Sequence, residues 1–181
     1  MSVFAIMLVI AIPAFGTWIT NTRMRSAAEE LQNGLNGARS SALQLNRTVQ
    51  FSLAQTPVTA SATPAASNSN ARYWYALTIP VMSSDSAAVV KSGNFGNDRV
   101  TVSGPTTLSF SPVGRMVITT DNTSGLNKCT APSNGTVYEL GNADGSTNQD
   151  IRHLCVTVNN GGKVRMCDPN KTLSTTNPDG C

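Results

Sequence analysis

The N-terminal part of the chain combines two hydrophobic patterns that together indicate one long helix. From Val3 to Ile19 the residues are mostly large and apolar, and none is charged. From Met24 onward, apolar or small residues recur every three or four positions, which is the spacing of one helix face. These positions are Met24, Ala28, Leu31, Leu35, Ala38, Ala42, Leu45 and Val49. We therefore predict a helix that is apolar on all sides over residues 1–22 and amphipathic over residues 23–50.

Three interpretations fit an apolar N-terminal run, and the flanking residues separate them. A secretory signal peptide needs a basic stretch before the run and a small-residue cleavage site after it; nothing basic precedes Val3, and Phe15, Trp18 and Ile19 fit such a site poorly. A buried core helix needs a larger protein around it than this chain provides. A membrane-spanning helix needs roughly 20 apolar residues, and the run falls slightly short at its N-terminal end. We expect residues 1–22 to form an N-terminally truncated transmembrane helix, kinked at Pro13, and residues 23–181 to form a globular head.

The remainder of the chain predicts short β-strands separated by polar turns and loops. Strands this short, joined by turn-forming residues, are typical of an antiparallel sandwich or a strongly bent double sheet. The fold class is therefore α+β: a long N-terminal helix packed on an antiparallel, sandwich-like head that is β-rich over residues 51–181. The predicted strands lie at 49–54, 72–81, 99–104, 107–115, 116–120, 136–140, 152–158 and 163–167, with a weaker candidate at 87–91.

Composition narrows the compartment and the class of protein. Charged residues make up only 13% of the 181 residues, and the net charge is +3. This composition suits an extracytoplasmic β-rich domain better than a cytosolic enzyme, and the small net charge does not by itself predict nucleic-acid binding. The four cysteines lack the C-x-x-C spacing of metal sites, and an even number in an exported domain predicts two disulfides. They are Cys129, Cys155, Cys167 and Cys181.

The hairpin predicted around NNGG, residues 159–162, constrains how the cysteines pair. If these four residues close a regular turn, Cys155 lies opposite Met166 in the neighbouring strand. Cys155 and Cys167 then point to opposite faces of the sheet, so they cannot bond to each other without a bulge. We predict the disulfides Cys129–Cys155 and Cys167–Cys181.

The sequence carries no pattern of catalytic, metal-binding or cofactor-binding residues. No serine lies in a G-x-S-x-G elbow, and the phosphate-binding glycine motifs are missing from the sequence. The single histidine, His153, cannot complete a zinc-finger spacing, and the aspartates do not form a calcium loop. Tyr73, Trp74 and Tyr75 could stack nucleic-acid bases, but we expect mainly core packing, with Trp74 on the opposite face from the two tyrosines. We expect no enzymatic activity, no metal and no cofactor.

Three stretches of sequence, taken in chain order, carry a resemblance to a known family. The first is the helix segment RSAAEELQNGLNGARSSAL at 25–43, with its run of small residues. The second is LSFSPVGRM at 108–116, which has the pattern F-x-P-x-G-R, and the third is the hairpin LCVTVNNGGKVRMC at 154–167. In this order they resemble the type IV minor pilins and type II secretion pseudopilins of the GspH/FimT/FimU family. The likeness covers nearly the whole chain, although the loops at 56–71 and 121–135 are longer than the family leads us to expect.

The resemblance implies a type IV pilin fold, a location and a set of partners. The subunit would span the bacterial inner membrane once, with its head in the periplasm, and would then be extracted into a filament at the cell surface. Its partners would be other minor and major pilins and the inner-membrane assembly machinery. Family precursors begin with a leader, a cleavage site and a glutamate that this sequence lacks, so we expect Met1 to lie within the mature helix. The helix residues expected to serve assembly are Pro13, Phe15, Met24, Leu31 and Leu35.

Within the family three functions compete. A FimU-like minor pilin would initiate or cap type IV pilus assembly by contacting other pilins, and this is the function we favour. A GspH-like pseudopilin would do the equivalent in the type II secretion pseudopilus. A FimT-like minor pilin would bind DNA for natural transformation through its G-R-x-R hairpin, here Lys163 and Arg165, with Arg152 expected to add to the same face. Lysine in place of the first arginine keeps a charge for phosphate but loses the bidentate fork.

Overall fold

In the computed structural model of this chain, one long helix precedes nine β-strands within the described residues. The structure describes residues 2–59, 63–67, 69–96, 99–120, 126–143 and 152–181, without the side chains of 2–15 and 118–120. The elements are α1 Ser2–Leu45, β1 Val49–Ala54, β2 Tyr73–Thr78, β3 Val89–Asn94, β4 Val100–Ser103, β5 Thr107–Phe110, β6 Met116–Thr120, β7 Gly135–Asn142, β8 Leu154–Asn159 and β9 Val164–Cys167.

Helix α1 ends at Leu45, so the predicted end at residue 50 is wrong. Asn46 has a φ of 49°, the left-handed conformation that often terminates a helix and that asparagine tolerates. The Arg47 amide donates to the Ala42 carbonyl at 3.2 Å and the Asn46 amide to the Leu43 carbonyl at 3.4 Å, which is the Schellman arrangement. Hydrophobic spacing missed this stop because apolar residues continue at the same interval into β1.

The strands form two antiparallel sheets, as the predicted sandwich-like head requires. One sheet has the order β3-β2-β1-β5-β6 and the other the order β4-β7-β8-β9. The amides and carbonyls of Ala71 and Val102 pair at 2.9 and 3.0 Å, which ties the first sheet's β1–β2 connection to the edge strand of the second. The weak candidate at 87–91 is strand β3, shifted towards the C-terminus, and the predicted strand at 107–115 ends at Phe110.

The main core lies between α1 and the two sheets. The predicted helix stripe is buried, except for Leu45, which is 46% exposed. We call the larger buried cluster the main core; burying a leucine or phenylalanine side chain there contributes roughly 1.5–3 kcal/mol. Its helix residues are Met24, Ala27, Ala28, Leu31, Leu35, Ala38 and Ala42, and the largest strand residues facing them are Phe51, Trp74, Phe110 and Tyr138.

A second, smaller cluster lies on the other side of the four-stranded sheet. It consists of Cys129, Val137, Cys155 and Cys167, with Leu126 and Ala131 packed against it. We call this cluster the satellite core. It contains no residue of α1, so the last third of the chain has its own buried centre.

The N-terminal part of α1 is described only in part. Its backbone is helical from Ser2, and its side chains are described from Gly16 onward. Within the described residues no helical segment is both long enough and apolar enough to cross a membrane. The expectations for the side chains of Pro13 and Phe15 lie outside the described side chains.

Candidate functional site

The contact between α1 and strand β2 is built around Trp74. Its indole nitrogen donates to Glu30 Oε1 at 3.1 Å, and its ring stacks on Phe51 with the centroids 5.5 Å apart. A Cβ on Gly34 would lie 2.9 Å from the indole ring, and one on Gly93 would lie 2.7 Å from it. The indole therefore fills the space between helix and strand because both neighbours lack a side chain. Gly34, which by propensity only weakens the helix, is required here for close approach.

Arg39 joins the two sheets at their turns. Its Nε donates to the Gly114 carbonyl at 2.9 Å, and one terminal nitrogen donates to the Gly161 carbonyl at 3.4 Å. The two turns are in direct contact, since a Cβ on Gly162 would clash with the Gly114 carbonyl oxygen. These are the turns of the two strand motifs that suggested the family. Hydrophobic spacing places Arg39 outside the apolar stripe and does not predict these contacts; its one signal is an arginine within a run of small residues.

The β8–β9 hairpin has a register one residue away from the predicted one. The Asn159 amide donates to the Lys163 carbonyl at 3.2 Å, which leaves a three-residue loop with Gly162 at a φ of 75°. This loop is a common hairpin connection, and its glycine supplies the positive φ. Cys155 therefore lies opposite Cys167, and the prediction that it faces Met166 is wrong.

The shift in register exchanges the faces of the hairpin, because side chains alternate along a strand. Val164 points into the main core, whereas Cys155 and Cys167 point into the satellite core. The predicted register would have placed Val164 and Cys155 on one face of the sheet, and this is wrong. The cysteines nevertheless pair as predicted, Cys129 with Cys155 and Cys167 with Cys181.

The three basic residues proposed for DNA binding do not form one exposed face. Arg165 is half-buried, and its guanidinium donates to the carbonyls of Pro178 and Gly180 at 2.7 and 2.6 Å. Arg152 lies at the opposite end of the hairpin from the turn, where its amide donates to Asn21 Oδ1 of α1 at 2.9 Å. The expected addition of Arg152 to the face at the turn is therefore wrong: Arg152 lines the cavity beside Trp18 and Asp179, whereas Lys163 lies at the turn. Lys163 is exposed beside the turn.

Arg165 instead belongs to a network that holds the C-terminal segment against strand β9. The amides of Cys181 and Lys171 donate to the Asp168 carbonyl at 3.3 and 3.2 Å. The Asp168 amide donates to the Asp179 carbonyl at 2.7 Å. Lys171 also forms an ion pair with Asp179, which lowers the pKa of that carboxyl. Together with the Cys167–Cys181 disulfide, these contacts cover the β9 edge of the sheet.

A buried carboxylate organises the loop beside the satellite core. Glu139 is 3% exposed, and its Oε2 accepts the amides of Asn127, Lys128 and Cys129 at 2.6, 3.0 and 3.2 Å. Three amide donors compensate a buried negative charge, so Glu139 fixes the loop that carries Cys129. His153 Nδ1 lies 3.7 Å from Glu139 Oε1. Burial lowers the pKa of His153, with a further lowering by Lys128 that Glu139 opposes.

Among the described residues there is one group of potential metal ligands, and all of its members already form disulfides. The Sγ atoms of Cys155, Cys167 and Cys181 lie within 4.8 Å of one another. All three are bonded in disulfides, so none is available as a thiolate ligand.

A cavity of about 510 Å³ opens where α1 enters the head. Trp18 and Arg25 line it from the helix, and Arg152 and Asp179 line it from the four-stranded side. Trp18 is 66% exposed and Ile19 is 39% exposed, whereas the apolar residues of α1 from Met24 to Ala42 that join the main core are fully buried. The helix thus leaves the head with large apolar side chains uncovered.

Comparison with solved structures shows a shared fold with a type IV minor pilin. FimU from Pseudomonas aeruginosa matches in two crystal forms, both at 17% identity. The first crystal form gives a TM-score of 0.56 and covers 83% of this chain and 92% of FimU. The second gives a TM-score of 0.52 and covers 81% of this chain and 94% of FimU. The minor pseudopilin EpsH from the type 2 secretion system of Vibrio cholerae gives a TM-score of 0.49 at 9% identity, over 82% and 99%. No curated protein sequence matches the chain significantly.

The family comparison covers most of the chain. The sequence model described as "Type II transport protein GspH" matches residues 27–162. The matched range runs from the buried helix stripe, through the turn held by Arg39, to Gly162 of the second turn. The chain therefore belongs to the GspH family and is a minor pilin or pseudopilin of the type IV pilus or type II secretion class.

Proposed function

We propose that this chain is a minor pilin that takes part in type IV pilus assembly and its initiation by contacting other pilin subunits. The observation that carries the proposal is the change of environment along α1. The apolar face of the helix is buried in the head from Met24 to Ala42, whereas Trp18 and Ile19 are uncovered. They continue the uncharged apolar run that begins at Val3. An apolar helix surface of this kind needs a partner outside its own head.

Physical chemistry suggests two successive partners for that surface. Before assembly the partner would be the lipid of the inner membrane, with the head in the periplasm, where two disulfides are stable. After extraction, leaving the helix in water would cost about 25 cal/mol for each Å² of apolar area. Burial against the helices of other pilins avoids this cost and yields a filament that reaches the cell surface. This is a structural role and needs no catalytic group.

DNA binding is the weaker candidate. Phosphate affinity grows with each neutralised contact, and Arg165 already donates to two carbonyls of its own chain. Arg152 lies at the other end of the hairpin, beside α1. Only Lys163 of the three remains at the exposed turn.

The proposal is tested in the bacterium that produces the chain, by asking whether the full-length subunit enters surface filaments. We expect wild type to be recovered in sheared filaments and Trp18→Asp to be missing from them, because a carboxylate at that position cannot pack among apolar helices. Leu173→Asp is the matched control, since Leu173 is a 52% exposed apolar residue of the C-terminal segment. Equal cellular amounts of the three proteins establish that folding is unaffected.

Deletion of the gene separates the two members of the family class. If the chain is a type IV minor pilin, the deletion is expected to reduce the number of surface pili and to leave protein secretion intact. Loss of secretion with normal pili would instead assign the chain to the type II secretion pseudopilus. Recovery of Trp18→Asp in filaments at the wild-type level would contradict the proposed role of α1.

A further inference from the structure

The end of the head opposite the apolar run carries a concentration of exposed large apolar side chains. Val81, Met82 and Val113 are each more than 70% exposed, and Leu43 and Leu45 are 50% and 46% exposed. We call these five residues the distal apolar surface. They are half of the exposed large hydrophobic residues found among the described side chains. Single exposed apolar residues are ordinary on a protein, whereas a cluster of them marks an interaction surface.

Contacts on either side of the end of α1 place the five residues at one end of the head. Gly114, next to Val113, lies so close to Leu43 that a Cβ added there would be 3.4 Å from a methyl group of the leucine. Arg47, two residues after Leu45, forms an ion pair with Asp85.

The same aspartate binds the loop that carries the other two residues. Its carboxylate lies 3.5 Å from the Val81 amide, and its own amide donates to the Met82 carbonyl at 3.0 Å. The Ile79 amide donates to the Thr48 carbonyl at 2.9 Å, which holds this loop beside the start of β1. The β2–β3 loop, the β5–β6 turn and the last turn of α1 therefore meet at one end of the head.

The border of the distal apolar surface is basic. Arg115 follows Val113 in the same turn and is exposed, and Lys163 is exposed beside Gly162, which touches Gly114. Neither side chain forms a hydrogen bond or an ion pair with the described residues. Arg47 and Asp85 neutralise each other, so the charges left for a partner are positive.

We propose that the distal apolar surface binds the head of a different pilin subunit, through an apolar patch bordered by carboxylates. An apolar centre with a charged rim is the usual anatomy of a protein interface, whereas a nucleic acid would be met by cations and not by valine, leucine and methionine. The inference rests on the proposed function for its direction. In the proposed role α1 runs toward the membrane at its other end, so this surface faces a neighbouring subunit on the side away from the membrane.

A second copy of this chain fits the surface less well. The opposite end of the head, around the exposed Trp18, is mixed in charge: Arg25 and Arg152 line the same cavity as Asp179, and Arg25 is paired with Glu29. The carboxylates of Glu29 and Asp179 are already paired with Arg25 and Lys171, so this end offers little negative charge to the basic border formed by Arg115 and Lys163. Charge complementarity therefore favours a subunit with a different, acidic surface.

The test is site-specific photo-crosslinking of the full chain in the bacterium that produces it, with p-benzoylphenylalanine in place of Val113 or of Leu173. The Leu173 position is the matched control, because it is an exposed apolar residue at a distance from the distal apolar surface. We expect position 113 to crosslink to another pilin subunit of the filament, at a peptide that contains aspartate or glutamate. A crosslink only to this chain itself, or no crosslink from a subunit that is present in filaments, would overturn the proposal.

Variants then measure the two parts of the surface. Two double variants are compared, with the photo-crosslinking residue at position 45. Each is expected to lower the crosslinking yield by about tenfold: Met82→Ser with Val113→Ser, and Arg115→Glu with Lys163→Glu. For this readout Leu45 carries the photo-crosslinking residue, and Leu173→Ser is expected to leave the yield unchanged. Wild-type yields in both double variants would overturn the proposal.

Two further outcomes distinguish this inference from DNA binding and from the proposed function. Salt-sensitive binding of duplex DNA by the full chain in detergent, lost in the Arg115→Glu, Lys163→Glu variant and accompanied by no protein crosslink, would assign the surface to DNA instead. If wild type enters filaments but position 113 contacts no pilin, this inference fails while the proposed function stands. If the wild-type protein never enters filaments, both the proposed function and this inference are wrong.

Discussion

The main core and the satellite core are stabilised by different means, although they share one sheet. The main core is made of contiguous apolar side chains of α1 and both sheets, with Trp74 held between two glycines. The satellite core has few apolar residues and depends on two disulfides and on Glu139, which binds three amides. Long polar loops cannot bury enough apolar surface to balance their ordering entropy, so covalent links and a buried charge supply the constraint. The comparison predicts that the two regions respond differently to mutation.

The largest effect is expected in the main core. Leu31→Ala removes a fully buried side chain that α1 packs against the sheets, and we expect it to lower the free energy of unfolding by about 2–5 kcal/mol. Leu43→Ala on the exposed side of the same helix is the control, with an expected loss of about 0.5 kcal/mol or less. Denaturant unfolding of the full chain in detergent measures both. Equal losses would mean that α1 is not seated on the sheets by this stripe.

Removal of the Cys167–Cys181 disulfide is expected to have the next largest effect and to act locally. The two cysteines are separated by 14 positions, and closing a loop of this length is worth about 3 kcal/mol in the chain-entropy model. We expect the Cys167→Ser, Cys181→Ser variant to become sensitive to proteases within residues 168–181 while α1 and β1 stay protected. Simultaneous loss of protection in the helix would show that the two cores unfold as one unit.

Arg165 and Lys163 form a matched pair on one strand and its turn. Arg165→Gln removes the donors to the Pro178 and Gly180 carbonyls, so we expect a loss of about 1.5 kcal/mol and faster amide exchange in the C-terminal segment. Lys163→Gln should change stability by about 0.5 kcal/mol or less, because its side chain is exposed. Equal stability of the two variants would mean that the C-terminal segment does not depend on Arg165.

The smallest effect concerns pH and the satellite core. Burial and Lys128 lower the folded-state pKa of His153 below its ordinary value of 6.5. As the pH falls through that value, the unfolded chain therefore takes up a proton before the folded protein does, and stability declines. We expect His153→Gln to flatten this decline between about pH 7 and about pH 5, measured by denaturant unfolding. An unchanged slope in the variant would assign the pH dependence to other groups.

Periodicity along the chain was a good guide wherever one face of an element is buried. The helix stripe from Met24 to Ala42 and most of the strand positions follow directly from spacing, because a buried face repeats every three to four residues in a helix and every two in a strand. The predicted disulfide pairs are present, but the register from which they were argued is wrong, so the sequence argument did not establish them. That error came from the turn at 159–163, where the same residues can close a three-residue or a four-residue loop. The three-residue loop is held by the Lys163 amide, which donates to Asn159 Oδ1, and by the packing of Gly162 on Gly114.

The amino-acid sequence by itself determined the class of the protein: an apolar then amphipathic helix, short antiparallel strands, two disulfides and the motifs of a pilin family. These are local properties, since they depend on residue type and spacing within one segment. The tertiary structure decided what each polar residue does. Arg39 joins two turns, Glu139 organises a loop, Arg165 holds the C-terminal segment, and the loops that carry Val81, Met82 and Val113 flank the end of α1. Such roles depend on which distant segments come within a few ångströms of one another, and no spacing along a single segment carries that information.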